Sequence, residues 1–228
     1  MVKHFSASAA SCYLSCPLKW KFRYMMHLPE APSAALERGK MVHLAMERYW
    51  SGNYGKPEPG LHRYISAYRR LKGAIKPEDV AATELELRAA LDGVDVPILG
   101  YLDVLTTDGR IVDLKTAGKP WANGRAEREL QPALYSHLAT ANGYQVRAFE
   151  FHILVGDGSD RHIDTYREPV DLDAITIEDN LIRIRQAWAG IVSQEYPAKR
   201  SLFCGYCDFT EACALETGIK PPHGRRGG

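Results

Sequence analysis

The sequence predicts an α/β fold, a mixed central sheet flanked by helices, and three observations carry that expectation. Apolar residues recur at helical spacing over 36–50 and 172–194. Between these segments lie strand-like runs over 98–106, 110–115 and 146–155, and Asp108-Gly109, a hairpin signal, joins the first two. Helices on either side of a group of strands imply layers on both faces of one sheet.

The elements follow in order. A helix is expected around Cys12 to Tyr24, ended by the breakers Pro29 and Pro32. Val42, Met46 and Tyr49 or Trp50 form the apolar stripe of a helix over 36–50, and 51–60 is a Gly/Pro-rich loop. A second helix with a basic face spans 61–72. Strands follow at 83–91, 98–106 and 110–115, then a loop at 118–124 and a helix over 126–141 that Asn142-Gly143 ends. Strands at 146–155 and 162–167 meet across Gly156-Asp157-Gly158. Ile175, Ile182, Ile184, Trp188 and Ile191 mark the long helix at 172–194.

The chain has 228 residues, 45% hydrophobic and 25% charged, which fits a folded core. One domain over 1–217 is expected, with 218–228 a disordered tail. No apolar run reaches the ~18 residues of a membrane span, and the first residues lack a secretory signal's apolar segment, so a cytoplasmic location is expected. The net charge of +1 lacks the basic excess of a nonspecific duplex binder. A nucleic-acid site would then be a local groove. Lys19, Lys21 and Arg23, then Arg63, Arg69, Arg70 and Lys72, and the tail Arg225–Arg226 are its candidates, though each also reads as a solvated charged face. No phosphate-binding GxxxxGK[ST] loop is present, which argues against an ATP motor.

Asp103 lies inside the apolar run Ile98 to Leu105, where an unpaired carboxylate is costly to bury. Asp113 and Lys115 are two apart on the next strand and share a face, with Val112 and Leu114 on the other. In an antiparallel hairpin Asp103 and Asp113 meet. Two close carboxylates repel unless a cation neutralises them, and oxygen ligands suit Mg²⁺ or Mn²⁺. Lys115 adds a charge that can orient an attacking water; the competing interpretation is a structural Asp–Lys salt bridge. His43 borders the apolar stripe of its helix and is either a core histidine or a metal ligand. Glu84 and Glu86 share one strand face, and either can support the site. Gln131 and Tyr135, four apart, project together from one helix.

The cysteines are Cys12, Cys16, Cys204, Cys207 and Cys213. An odd number near the two ends fits a disulfide framework badly. Cys204, Cys207 and Cys213 form C-x2-C-x5-C, and a thiolate from Cys16 or Cys12 completes a set of four. Zinc and iron–sulfur clusters both accept four thiolates. A fourth ligand at the far end of the chain favours a cluster that clamps the two termini together.

Taken together, these motifs resemble the RecB-like nucleases of the PD-(D/E)xK superfamily, and most closely the iron–sulfur branch that includes the CRISPR adaptation exonucleases and the AddB nuclease domain. The likeness runs from Ser6 to about Cys213. Its residues are Ser6-Ala-Ser8, Tyr13-Leu-Ser-Cys16-Pro17, Phe22-Arg-Tyr24, Gly39 to His43, Gly100-Tyr-Leu-Asp103, Asp113-Leu-Lys115-Thr116, Gln131-Pro-Ala-Leu-Tyr135 and the three C-terminal cysteines. The resemblance implies a restriction-endonuclease-like sheet. It makes His43, Asp103, Asp113 and the Leu114 carbonyl metal ligands, Lys115 the catalytic lysine, and Gln131, Tyr135 and Glu84 or Glu86 supporting groups. Cys16, Cys204, Cys207 and Cys213 would hold a [4Fe-4S] cluster, leaving Cys12 extra.

The function implied is Mg²⁺- or Mn²⁺-dependent exonuclease action on DNA, single-stranded or with single-stranded ends. Tyr13, Tyr24 and Trp121 are candidate stacking surfaces. Two other classes are a non-catalytic iron–sulfur subunit of a recombination, repair or CRISPR adaptation complex, and a redox iron–sulfur protein. The Asp103, Asp113 and Lys115 set argues against the first, and the separate acidic site against the second.

Overall fold

The computed structural model describes residues 2–53, 60–156 and 162–219. The chain divides into two compact units, one of Met1–Ala31, Ala90–Ile98 and Leu181–Gly228, the other of Pro32–Ala89 and Leu99–Asn180.

Five strands form one sheet in the order β1-β2-β3-β4-β5. They are β1 (Val80–Leu91), β2 (Val94–Thr106), β3 (Arg110–Ala117), β4 (Ala148–Gly156) and β5 (Ile163–Val170). β2 and β3 are antiparallel, Val104 against Val112, as Asp108-Gly109 predicts. β3 and β4 are parallel, with Asp113 beside Phe151 and Leu114 beside His152. β4 and β5 are antiparallel. The parallel β3–β4 step needs a crossover, and α5 (Gln131–Ala141) lies within it.

In the second unit, α3 (Ala34–Trp50) and α4 (Leu61–Arg70) cover one face of the sheet. Val42, Met46, Trp50, Tyr64 and Tyr68 pack there against Val104, Val112, Leu114 and Leu154. Each such aliphatic side chain contributes about 1.5–3 kcal/mol on burial. On the other face α5 approaches so closely that a Cβ on Gly100 would stand 2.6 Å from Leu138 and 2.9 Å from the Tyr135 ring. Only glycine fits there. Alternation along β3 thus sends Val112 and Leu114 into the apolar core and leaves Asp113 and Lys115 for the other face.

The first unit gathers both ends of the chain. Its helices are α1 (Ala7–Ser15), α2 (Pro17–Trp20) and α7 (Thr210–Thr217), with the C-terminal part of α6 (Ala174–Val192). Ser6 caps α1 by accepting from the Ala9 N–H. Phe5 donates to the Pro97 carbonyl. The Tyr13 hydroxyl donates to the Glu195 carbonyl at 2.6 Å, its ring lying where a Cβ on Gly190 would clash. Trp20 is sandwiched between Tyr24 and Tyr196.

Two helix expectations are corrected. The helix expected from Cys12 to Tyr24 is broken: Pro17 holds Cys16 extended (φ −162°, ψ 108°), ending α1 and starting α2. The helix expected over 126–141 starts at Gln131. Ala126–Arg128 is a separate 3-10 turn, and Pro132 sits in the first turn of α5, where its missing N–H costs nothing. The Asp157-Gly158 junction and the tail from 220 lie outside the described residues.

Candidate functional site

Three side chains from three elements meet at one point: His43 of α3, Glu84 of β1 and Asp103 of β2. One ligand atom from each lies within 4.8 Å of the others. His43 Nδ1 is 3.6 Å from Asp103 Oδ2, and that same oxygen accepts the Leu114 N–H at 2.6 Å. Burial works against protonation of His43, but Asp103, with Asp113 beyond it, outweighs this and lifts its pKa. Burial, reinforced by Asp103, also raises that of Glu84. Negative charge is crowded here, the condition that a divalent cation relieves.

Asp113 stands beside this group and is turned to different partners. It is 2% exposed. Gln131 Nε2 donates to its Oδ1 at 2.8 Å and to the Tyr135 hydroxyl at 3.1 Å. Lys115 Nζ is 2.6 Å from Oδ2, an ion pair at a buried oxygen. Burial drives the Asp113 pKa up to about 7; Lys115 opposes the rise and Asp103 adds to it. Lys115 also lies over the Phe151 ring, 5.6 Å from its centroid. A cavity of ≈ 680 Å³ opens over His43, Glu84, Asp103 and Lys115.

Of the two glutamates, the structure brings Glu84 to His43 and Asp103 and holds Glu86 elsewhere. Glu84 has φ +45°, a left-handed conformation that costs a non-glycine residue about 1–3 kcal/mol. It interrupts the alternation that would have put both carboxylates on one face. Glu86 instead accepts from the Tyr101 hydroxyl and from Arg88, each at 2.8 Å, on an exposed part of the strand. No residue-type pattern signals such a left-handed glutamate.

A second cavity, ≈ 590 Å³, lies within the first unit. Cys16, Cys204, Cys207 and Cys213 all line it, and Cys12 does not. The broken helix puts Cys16 here, since its extended backbone turns away from buried Cys12. Leu18, Phe22 and Phe209 form an apolar core against Cys16, Cys207 and Cys213. The Lys199 N–H points at the Cys16 sulfur (3.5 Å), and the Ser201 N–H at the Cys204 sulfur (3.3 Å). Among the described residues no three thiols lie within 4.8 Å of one another. They surround the cavity rather than converge on a point.

Other candidates are redistributed. Tyr13 is buried and Tyr24 stacks on Trp20, so both serve packing. Trp121 packs against Phe151, and Arg125 covers its ring at 4.1 Å. Lys21 is paired with Glu216 and Arg23 with Glu30, which offsets two of the three charges of that basic cluster. Arg225 and Arg226 lie outside the described residues. Among the described residues no helix is long and apolar enough to cross a membrane.

Compared with known proteins, the sequence matches the family described as the PD-(D/E)XK nuclease superfamily over residues 4–71 and 60–214. Its fold is similar to that of SSO0001, at 15% identity and a TM-score of 0.58, over 93% of this chain and 87% of that one. It is also similar to a candidate exonuclease from Eubacterium rectale, at 11% identity and a TM-score of 0.64, over 96% and 90%. No curated protein matches the sequence.

Proposed function

We propose, from the premise that this chain belongs to the PD-(D/E)XK nuclease superfamily, that it is a metal-dependent DNA exonuclease acting on single-stranded DNA or ends. The observation that carries this reading is the buried Asp113, paired with Lys115, beside the His43–Glu84–Asp103 group. A structural salt bridge needs no second group of acids beside it. Carboxylate oxygens and one imidazole suit Mg²⁺ or Mn²⁺. His43, Asp103, Asp113 and the Leu114 carbonyl would hold the ion, with Glu84 added by its position. When bound, such an ion activates water and stabilises charge on the phosphate.

The chain's own residues do the rest. Gln131 fixes Asp113 from the start of α5, and Asp113 holds the Lys115 ammonium at the mouth of the cleft. There Lys115 orients the attacking water and meets the negative charge that develops on the phosphate. Tyr135 anchors Gln131 in turn.

In the same reading the first unit carries a [4Fe-4S] cluster on Cys16, Cys204, Cys207 and Cys213. Thiolates around one zinc ion stand about 3.8 Å apart, given Zn–S bonds of about 2.3 Å in a tetrahedron. A wider ring of thiols around a cavity suits a multi-iron cluster better, and N–H groups aimed at two sulfurs suit thiolates.

Digestion of end-labelled linear DNA in Mg²⁺, Mn²⁺, Ca²⁺ or chelator tests the chemistry. Hydrolysis is expected in Mg²⁺ or Mn²⁺ only, and loss is expected in Asp103→Ala and Asp113→Ala. Wild-type rates in both Asp113→Ala and Lys115→Ala would remove this site. Anaerobically purified protein should be brown and contain iron and sulfide, and one zinc without iron would overturn the cluster.

A further inference from the structure

Beside the acidic cleft lies a smaller cavity of opposite character. Its volume is ≈ 130 Å³, and its wall includes Arg38, Tyr64, Thr116, Ala117, Gly118 and Gly156. Ala35 and Thr116 line both cavities. The helix α3 lies close on the end of β3 here, since a Cβ on Gly39 would stand 3.2 Å from Thr116 Oγ1.

The chemistry of this wall points one way. Arg38 is half-buried, and no acid pairs with it among the described residues. A guanidinium is permanently charged and carries five donors in a planar fork. Thr116 adds a hydroxyl at the end of β3. Ala35 belongs to the first turn of α3, the positive end of a 17-residue helix. Among the described residues no carboxylate lines the cavity, whereas Glu47, Glu84 and Asp103 line the cleft next door. The wall therefore favours an anion at a fixed place beside the reacting centre.

Size narrows the anion. Pockets that enclose a drug-sized ligand measure roughly 300 Å³ or more, so this one encloses a phosphate group but not a whole nucleotide. A phosphate within a strand carries a nucleoside on each side and one negative charge. A terminal phosphate monoester has one free side, three free oxygens and close to two charges at neutral pH. It matches a small arginine-lined pocket better on all three counts.

We propose that the Arg38–Thr116 pocket binds the terminal phosphate monoester of a nucleic-acid strand, so that cleavage is registered from a phosphorylated end. This rests on the hydrolytic reading of the neighbouring cleft. The phosphate can be the 5′ or the 3′ one, since both present the same group.

The test uses the full-length protein and three linear oligodeoxynucleotides of one sequence, with a 5′-phosphate, a 3′-phosphate, or hydroxyls at both ends. Initial rates are measured in Mg²⁺ or Mn²⁺, and affinities by fluorescence anisotropy in Ca²⁺. One phosphorylated substrate should be cut roughly 10-fold faster or bound roughly 10-fold more tightly than the hydroxyl-ended one, as a charge-assisted hydrogen-bonded pair predicts. Which one it is identifies the end. In Arg38→Gln that ratio should fall to near one, and Thr116→Val, which only removes the hydroxyl donor, should reduce it several-fold. Equal rates and affinities for all three wild-type substrates overturn the pocket, as does a ratio that survives in a folded Arg38→Gln. Phosphate-dependent binding that Arg38→Gln abolishes, without any hydrolysis, keeps the pocket and removes the hydrolytic reading instead.

Discussion

Asp113 and Glu150 sit on neighbouring strands, each almost fully buried, and are held in opposite ways. Glu150 accepts two bonds from Arg167, both at 2.7 Å, and meets His152 Nε2 at 3.1 Å. His152 Nδ1 in turn meets the Tyr68 hydroxyl at 2.9 Å, and that hydroxyl accepts the Ile75 N–H. Glu150, His152, Tyr68 and Arg167 thus form one connected hydrogen-bond network. The contact with His152 and the Arg167 pair bring the Glu150 pKa down to about 2. Asp113 has the Gln131 amide on one oxygen and Lys115 on the other, yet burial and nearby Asp103 leave its pKa raised to about 7. In the parallel β3–β4 pairing, Glu150 lies beside Val112 and faces the helices α3 and α4, while Asp113 lies beside Phe151 on the other face. A buried carboxylate whose partners outweigh its burial locks a fold; one whose charge they leave destabilised is available to a cation.

The largest effect should come from exchanging these roles by mutation. Lys115→Ala should lower DNA hydrolysis by ~10³-fold or more, equivalent to about 4 kcal/mol of transition-state stabilisation, while Mn²⁺ binding and the melting temperature change little. Glu150→Ala should do the reverse. It strands Arg167 and should cost about 3 kcal/mol of stability, read by denaturant unfolding, with the folded protein still active. A Lys115→Ala protein that unfolds, or a Glu150→Ala protein that keeps its stability, would erase the distinction.

Next in size is Gln131→Ala. Support of this kind is worth about 10–100-fold in activity, and the helix should remain intact because Gln131 is its first residue. Full activity would show that Asp113 is held well enough without it.

The smallest effect is on pH dependence. Burial depresses the pKa of His152, so the folded state favours its neutral form. Stability from this group is complete above its unfolded pKa of about 6.5 and falls as pH drops towards the lower folded value. Glu150 contributes in full above about 4.3 and loses that contribution as pH falls towards about 2. Asp113 acts in the other direction: its raised pKa means that protonation below about 7 favours the metal-free fold. Melting temperature against pH should therefore decline below about pH 6.5 more gently in wild type than in Asp113→Asn, which removes the compensating proton. Parallel curves would show that Asp113 does not titrate in this range.

Much of the site was legible in advance because strand alternation is a local rule. Asp113 and Lys115 two apart, and Asp103 in an apolar strand before a hairpin, bring three charges to adjacent strands without knowledge of the rest of the chain. Gln131 and Tyr135 follow from helical spacing in the same way. Glu84 could not be separated from Glu86, because the left-handed backbone at Glu84 breaks the alternation that equates them. Arg38 was not legible at all. It is one charged residue on a polar helix, and only the approach of α3 to the end of β3 makes it part of a pocket. The Glu150–His152–Arg167–Tyr68 chain was equally hidden, since residues from 68 to 167 must be brought together to form it.

The sequence by itself determined the order of the elements, the hairpin that sets Asp103 near Asp113, and the spacing of the three C-terminal cysteines. These depend on periodicity, turn chemistry and spacing, which act within a few residues. Only the tertiary structure decided which glutamate faces His43, that Pro17 turns Cys16 towards the C-terminal cysteines, and which buried carboxylate is held as a stable anion. Those outcomes depend on which groups the fold brings together, and burial makes the balance between each charge and its partners decisive.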